Sequence, residues 1–269
     1  MCSARAFITV MIIVGMILSG CSARQGGIRT MRAESVGNEG PSYDVHDTKS
    51  ARKRVLLQDK LALAYGQISS HQPRQAIKMA EEALQLDPKS PDGYTILAMA
   101  DVMEGRGQDA GKHYRHAVDL APHQGDYLNN YGAWLCTNNY PAEALVWFDR
   151  AIADPNFGQT AGVWANAGAC ALQTGETERA DHDLHKALAL DSQNATALEA
   201  MASLAFRKGQ FFEARAFVER RLDAAAATPS VLKRAAEIEE KLGDHAAVSR
   251  YQQRLSREFP QTNAITPKG

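Results

Sequence analysis

Four histidines offer the first chemistry to weigh. His113 and His116, and again His182 and His185, stand three positions apart, a spacing that puts both rings of a pair on one face of a helix. Asp181 and Asp183 flank the second pair, but neither a fourth ligand nor a distant cysteine pair completes a metal site. The reading is solvated histidines on an outer face, with no metal. The stretch EGRGQDAG (104–111) spaces its glycines G-x-G-x-x-x-G and follows a helical pattern instead of a strand. That makes it a turn between helices, not a phosphate loop. No nucleophile stands with a base at a working spacing, so no catalytic residue, cofactor or small-molecule substrate is expected.

Cys21 carries chemistry of another kind. It follows an apolar run, Phe7 to Leu18, that itself follows Met1–Ala6 with Arg5 as the one cation. About a dozen residues are too few for a bilayer span, which needs ~20, and suit the apolar core of a secretory signal. Leu18-Ser19-Gly20-Cys21 resembles the bacterial lipobox, in which the thiol is acylated and the chain is cut before it. The resemblance implies a cleaved signal peptide over 1–20 and a lipidated Cys21. Each buried CH₂ of an acyl chain contributes ~0.8 kcal/mol, so the several chains of such a lipoprotein hold where one myristoyl chain barely does. Ser22, in place of the aspartate typical of inner-membrane retention, implies sorting to the outer membrane, facing the periplasm.

Of the four cysteines, Cys2 would leave with the signal and Cys21 would be acylated, leaving Cys136 and Cys170. Two cysteines in an oxidising compartment invite one disulfide. A bond would close a loop of about 34 residues and contribute ~3–4 kcal/mol in the chain-entropy model. Two buried free thiols are the alternative, and either way the role is structural.

Lys and Arg number 30 against 31 Asp and Glu, so no net field favours nucleic acid or an anionic membrane as partner. Residues 21–54 lack an apolar period and are expected to be a lipidated terminus with a flexible tether. Residues 263–269 are expected to be a disordered tail.

The elements that must position any site come from a repeat. Ala76, Ala110, Ala144, Ala180 and Ala214 recur at a period near 34, as do Ala83, Ala117, Ala151 and Ala187, and the glycines Gly105, Gly175, Gly209 and Gly243. Small residues let paired helices approach, glycine takes the left-handed conformation that ends a helix, and Pro88, Pro122 and Pro260 stop the second helix. The pattern resembles the tetratricopeptide repeat. It implies an all-α chain, a right-handed superhelix of six helix–turn–helix units over 55–262: 57–90, 91–124, 125–160, 161–194, 195–228 and 229–262. The third unit carries two extra residues and the fifth lacks proline, ending in DAAAAT.

In that family the first helix of each unit lines a concave surface. Carried onto this chain, its groove positions are Leu61, Tyr65 and Ile68 in the first unit and Ile96, Met99, Val102 and Met103 in the second. This oily wall would take an amphipathic helix or a short apolar peptide, the alternative being that an N-terminal helix or a shifted register covers these residues as core. Asn130 and Asn166 occupy a position that holds a ligand backbone in peptide-binding members, with a helix-to-helix hydrogen bond as the alternative. The cations that clamp a carboxylate terminus are missing, since Asp92, Asp126, Gly162 and Thr196 stand there.

YLNNYGAWLC (127–136), FDRAIADPNF (148–157) and WANAGACALQTGE (164–176) resemble segments of the type IV pilus secretin-pilotin family (PilF/PilW), in which the paired cysteines recur. The resemblance implies a non-enzymatic function: binding the pilus secretin and promoting its outer-membrane localisation and multimerisation. Another periplasmic scaffold, an adaptor for cell-wall enzymes or for barrel assembly, is the alternative.

Overall fold

The computed structural model describes residues 48–263. The expected signal peptide, Cys21 and the tail from 264 onward lie outside the described residues. The described residues, 48–263, lie within one compact unit, Asp47–Gly269.

Local chemistry starts the helices. Proline opens α2, α3, α6 and α11, where its missing N–H costs nothing. Side-chain caps from Ser90, Asn194, Thr228 and Asp244 satisfy backbone donors at the starts of α3, α9, α11 and α12. The twelve helices form six pairs: α1 (Lys49–Ser69) with α2 (Pro73–Leu86), α3 (Pro91–Met103) with α4 (Gly107–Leu120), α5 (Gly125–Thr137) with α6 (Pro141–Ile152), α7 (Ala161–Thr174) with α8 (Thr177–Leu190), α9 (Ala195–Arg207) with α10 (Phe211–Ala224), and α11 (Pro229–Leu242) with α12 (His245–Glu258). No strand occurs among the described residues.

Each helix packs on its successor, and the first helices also touch in series, α1 on α3, α3 on α5, α5 on α7, α7 on α9 and α9 on α11. They therefore make one continuous face. The small residues do what their size allows: Ala76, Ala110, Ala144, Ala180 and Ala214 are fully buried. Gly168 is a close approach, since an added Cβ would lie 2.7 Å from Cγ of Leu184.

Gly105, Gly175, Gly209 and Gly243 all hold φ between 74° and 82°. In the first and third units the same turn position is His71, at φ 56°, and Asn139, at φ 68°. The left-handed turn is thus demanded by the hairpin and met with or without glycine.

One boundary differs from the sequence expectation. The helical body starts at Lys49, so residues 49–54 are not tether. Thr48 is the reason: extended itself, it accepts the Ala51 N–H on its hydroxyl at 3.1 Å and caps a helix two turns ahead of the first repeat.

The two irregular units have compensations of their own. In the third, Asp154 accepts the Gly125 N–H at 2.8 Å and the Asn156 N–H at 2.9 Å, and the Trp164 indole N–H donates to the Gly158 carbonyl at 2.8 Å. The extra residues are thereby tied to the starts of α5 and α7. In the fifth, the alanine site of other units is Arg221, a buried cation that donates to the Ala225 and Ala226 carbonyls at 3.2 Å each and lies 3.4 Å from Glu199. It holds the proline-free connection in place. Buried Asp101 and Glu239 are likewise paired, with Arg106 and Arg215, as buried carboxylates must be.

Candidate partner-binding face

The first helices of the N-terminal units present Tyr65 on α1 and Val102 and Met103 on α3 as exposed side chains. Ile68 and Met99 are half-buried, packed against neighbouring core clusters. Leu61 and Ile96 do not belong to the wall: they are 4% and 0% exposed and sit in one core cluster with Ala64, Ala76, Ala80, Ala83 and Ala100. The reason is register. Leu57, Leu61, Ala64 and Ile68 repeat at i, i+4, i+7 and i+11, the stripe of α1 that turns inward. An exposed apolar surface remains, narrower than the sequence suggested.

Beside it stands a polar cluster that the sequence reading passed over except as missing cations. The Tyr127 hydroxyl donates to Asp92 at 2.9 Å, linking α5 to α3. Burial, then the carboxylates of Asp92 and Asp126, push both the Tyr65 and Tyr127 hydroxyls well above the usual tyrosine range. Both rings therefore stay neutral donors at any physiological pH. Asp126 is raised chiefly by burial, against the Tyr127 N–H that it accepts at 2.9 Å.

In the middle units, the Asn166 amide donates to the Asn129 side-chain carbonyl at 2.9 Å. For Asn166 this is the helix-to-helix alternative, with Asn129 as the partner. Asn130 is half-buried on α5. On the same helices Cys136 and Cys170 are joined by a disulfide, with Cα atoms 5.9 Å apart. It staples α5 to α7.

Two depressions escaped the sequence reading. One, of about 370 Å³, lies between α7 and α9 and includes Leu172, Thr196, Glu199, Ser203 and Arg207. The other, of about 620 Å³, opens on the last helix pair, with Phe206, Leu232, Ala236, Val248 and Leu255 among its walls. Val248 stands 34 positions after Ala214 and so continues its series into the sixth unit, where it and Ala236 are half-buried on the depression's wall. The two histidine pairs behave alike. His113 Nδ1 lies 2.9 Å from buried Asp101 and His182 Nδ1 lies 2.9 Å from buried Asp183, while the exposed His116 ring packs edge-on to Tyr94 at 4.2 Å and the exposed His182 ring edge-on to Trp164 at 5.9 Å. Both pairs are thus partly structural. Among the described residues no group of three or more His, Cys, Asp or Glu could hold a metal ion.

No family model matches the chain. It is 28% identical over 180 residues to the type IV pilus assembly protein PilF of Pseudomonas aeruginosa, covering 66% of this chain and 71% of that one. A Haemophilus influenzae protein is 29% identical over 150 residues, 56% of this chain and 80% of its own. The crystal structure of PilW, a widely conserved type IV pilus biogenesis factor, matches with a TM-score of 0.67 at 27% identity, over 76% of this chain and 94% of that one. A tetratricopeptide protein of Thermus thermophilus matches with a TM-score of 0.57 at 21% identity, over 69% and 98%, a likeness of fold alone. The chain is an all-α tetratricopeptide-repeat protein similar to type IV pilus biogenesis factors.

Proposed function

We propose that this relative of type IV pilus biogenesis proteins is a non-enzymatic lipoprotein of the outer membrane. It binds secretin subunits and promotes their localisation and multimerisation there. The observation that carries the reading is the similarity to PilF across 180 residues. The geometry supports a scaffold: a continuous face of first helices, with Tyr65, Val102 and Met103 exposed and Ile68, Met99 and Asn130 beside them. An apolar face with adaptable methionines suits an amphipathic helix or short apolar segment. Asn166 is already engaged with Asn129 and is left out of the contact set.

Cys21, acylated, gives location, and the repeats give grip, with no covalent step required. The test is the gel state of the secretin in a deletion strain. Loss of heat-resistant multimers, restored by the wild-type gene and not by Cys21→Ser, is the expected result. Multimers at wild-type level without the gene would end the proposal.

A further inference from the structure

Repeat arrays close their two ends with units whose outer face is polar. Both ends of this array leave aliphatic side chains open instead. Inside it the junctions share one form, in which a first helix lies on the small residues of the pair before it. Ala64, Ala76 and Ala83 of the first unit share a core cluster with Ile96 and Ala100 of α3. Ala98, Ala110 and Ala117 of the second share one with Tyr127 and Tyr131 of α5, and Ala202 and Ala214 of the fifth share one with Val231 and Ala235 of α11.

The sixth pair keeps these positions and leaves them open. Its counterparts of the three alanines in each of the first two units are Ala236, Val248 and Leu255. Those alanines are buried, whereas Ala236, Val248 and Leu255 are half-buried and line the depression of about 620 Å³. The depression is the seat that a further first helix would take.

The opposite end supplies such a helix. Among the described residues, α1 is a first helix with no pair before it. Leu56, Asp59, Leu63 and Gly66 follow one side of it at i, i+3, i+7 and i+10, and all four are exposed, Leu63 by 54%. Leu63 is the seventh residue of its unit. Of the seventh residues in the other five, Tyr131, Ala167, Met201 and Ala235 are buried and Leu97 is half-buried. What covers this side is seen at Leu97, which packs on the cluster that includes Ala76, Ala80 and Ala83 of α2. At Gly66 an added Cβ would meet nothing within 4 Å, so a partner helix can come close there.

We infer that this chain self-associates head to tail, with the open side of α1 in one copy seated in the depression on α11 and α12 of a second copy. The occupant is read from the chain itself. The two surfaces are the separated halves of a junction that it already makes at α2–α3, α4–α5, α6–α7, α8–α9 and α10–α11. Charge does not bar the contact: the rim of the depression carries Lys233 and Lys241 against Glu237 and Glu240, and α1 brings Asp59 with Lys60. Such a contact is heterologous, so it builds rings or open rows instead of a two-fold dimer. It continues the face of first helices from one copy into the next, as the junctions within the chain do.

The test uses the unlipidated chain from residue 22 onward, which retains the whole compact unit, in sedimentation velocity from low micromolar to near-millimolar concentration. The wild type should grow in mass with concentration. Leu63→Glu at one end, or Leu255→Glu at the other, should each weaken self-association at least ~10-fold, the contribution of one buried leucine. Leu63 is exposed, so its variant leaves the core alone. Leu255 is half-buried, and Gln252→Arg, on the exposed wall of the same depression, takes its place if Leu255→Glu lowers the melting temperature. A mixture of the two single variants holds one intact surface of each kind and should form one-to-one dimers and no larger species. A wild type that stays monomeric throughout, or single variants that associate as the wild type does, would overturn the inference. So would a mixture that fails to pair, which would mean a two-fold contact. If the chain associates only once residues 22–47 are removed, that segment is the occupant of the α1 side and the inference falls. None of these outcomes depends on the secretin.

Discussion

Cys136 and Cys170 stand with their Cα atoms 5.9 Å apart and join α5 to α7 across two repeat units. Both lie in the largest apolar cluster of the chain, with Cys170 fully buried and Cys136 8% exposed. In an unfolded chain the bond would remove the freedom of a 34-residue separation. The Cys136→Ser, Cys170→Ser double variant should therefore lose ~3–4 kcal/mol in denaturant unfolding. Reductant should cost the wild type a similar amount and the double variant nothing. Under native conditions reduction should be slow, because the reagent must wait for opening. An unchanged unfolding midpoint in the double variant would mean that the helix contacts alone fasten these units.

Beside Tyr65, whose hydroxyl sits among Asp92 and Asp126, Val102 and Met103 are exposed, so charge can be introduced at these two without breaking the core. Val102→Asp with Met103→Asp should leave the melting temperature within a few degrees and weaken secretin-peptide binding at least ~10-fold, by loss of apolar contact and desolvation of the new carboxylates. The matched control is Leu61→Asp, which buries a charge and should unfold the first unit instead. If the exposed pair binds normally while folded, the partner sits elsewhere, and the depression between α7 and α9 becomes the next face to alter.

The repeat was legible because it is a local steric code. Ala76, Ala110, Ala144 and their counterparts are small wherever two helices must meet, and that constraint survives wide variation around it. The wall was only partly legible. Leu61 and Tyr65 stand four apart and only ~40° from each other about the helix axis, so a small rotation decides which one faces solvent, and both are apolar enough for either role. The capping of α1 by Thr48 was in plain view but stood within a polar stretch that carries no apolar period. Asp92 was read for the cation it is not, and its bond to Tyr127 comes from another unit, 35 positions away. Contacts of that kind have no local signature.

His71 and Asn139 occupy the left-handed turn that glycine fills in the other units. Left-handed backbone costs an ordinary L-residue ~1–2 kcal/mol, less for asparagine, while glycine gives back part of the gain through its unfolded entropy. His71→Gly should raise stability by ~0.5–1 kcal/mol, and Asn139→Gly by less. Chemical denaturation of the two single variants supplies the comparison. The order matters more than the size. A larger gain at Asn139 than at His71 would show that contacts, not backbone strain, govern these turns.

Asp154 gives the pH dependence a definite sign. Its carboxylate accepts the Asn156 and Gly125 N–H groups, and these two bonds, the Asn156 one first, hold its pKa below the usual carboxylate range. An unfolded aspartate titrates near ~3.9. On acidification the unfolded chain takes up the proton first, so the contribution of Asp154 is complete above the unfolded pKa. It is lost as pH falls through the lower, folded value. Asp154→Ala should therefore melt below wild type at neutral pH, with the gap narrowing as the pH falls below the unfolded value of ~3.9 and toward the lower, folded one. Thermal melts of the two proteins across that range make the measurement. A gap that stays constant with pH would assign the loss to the shape of the inserted loop, since geometry does not titrate and the ionised carboxylate does.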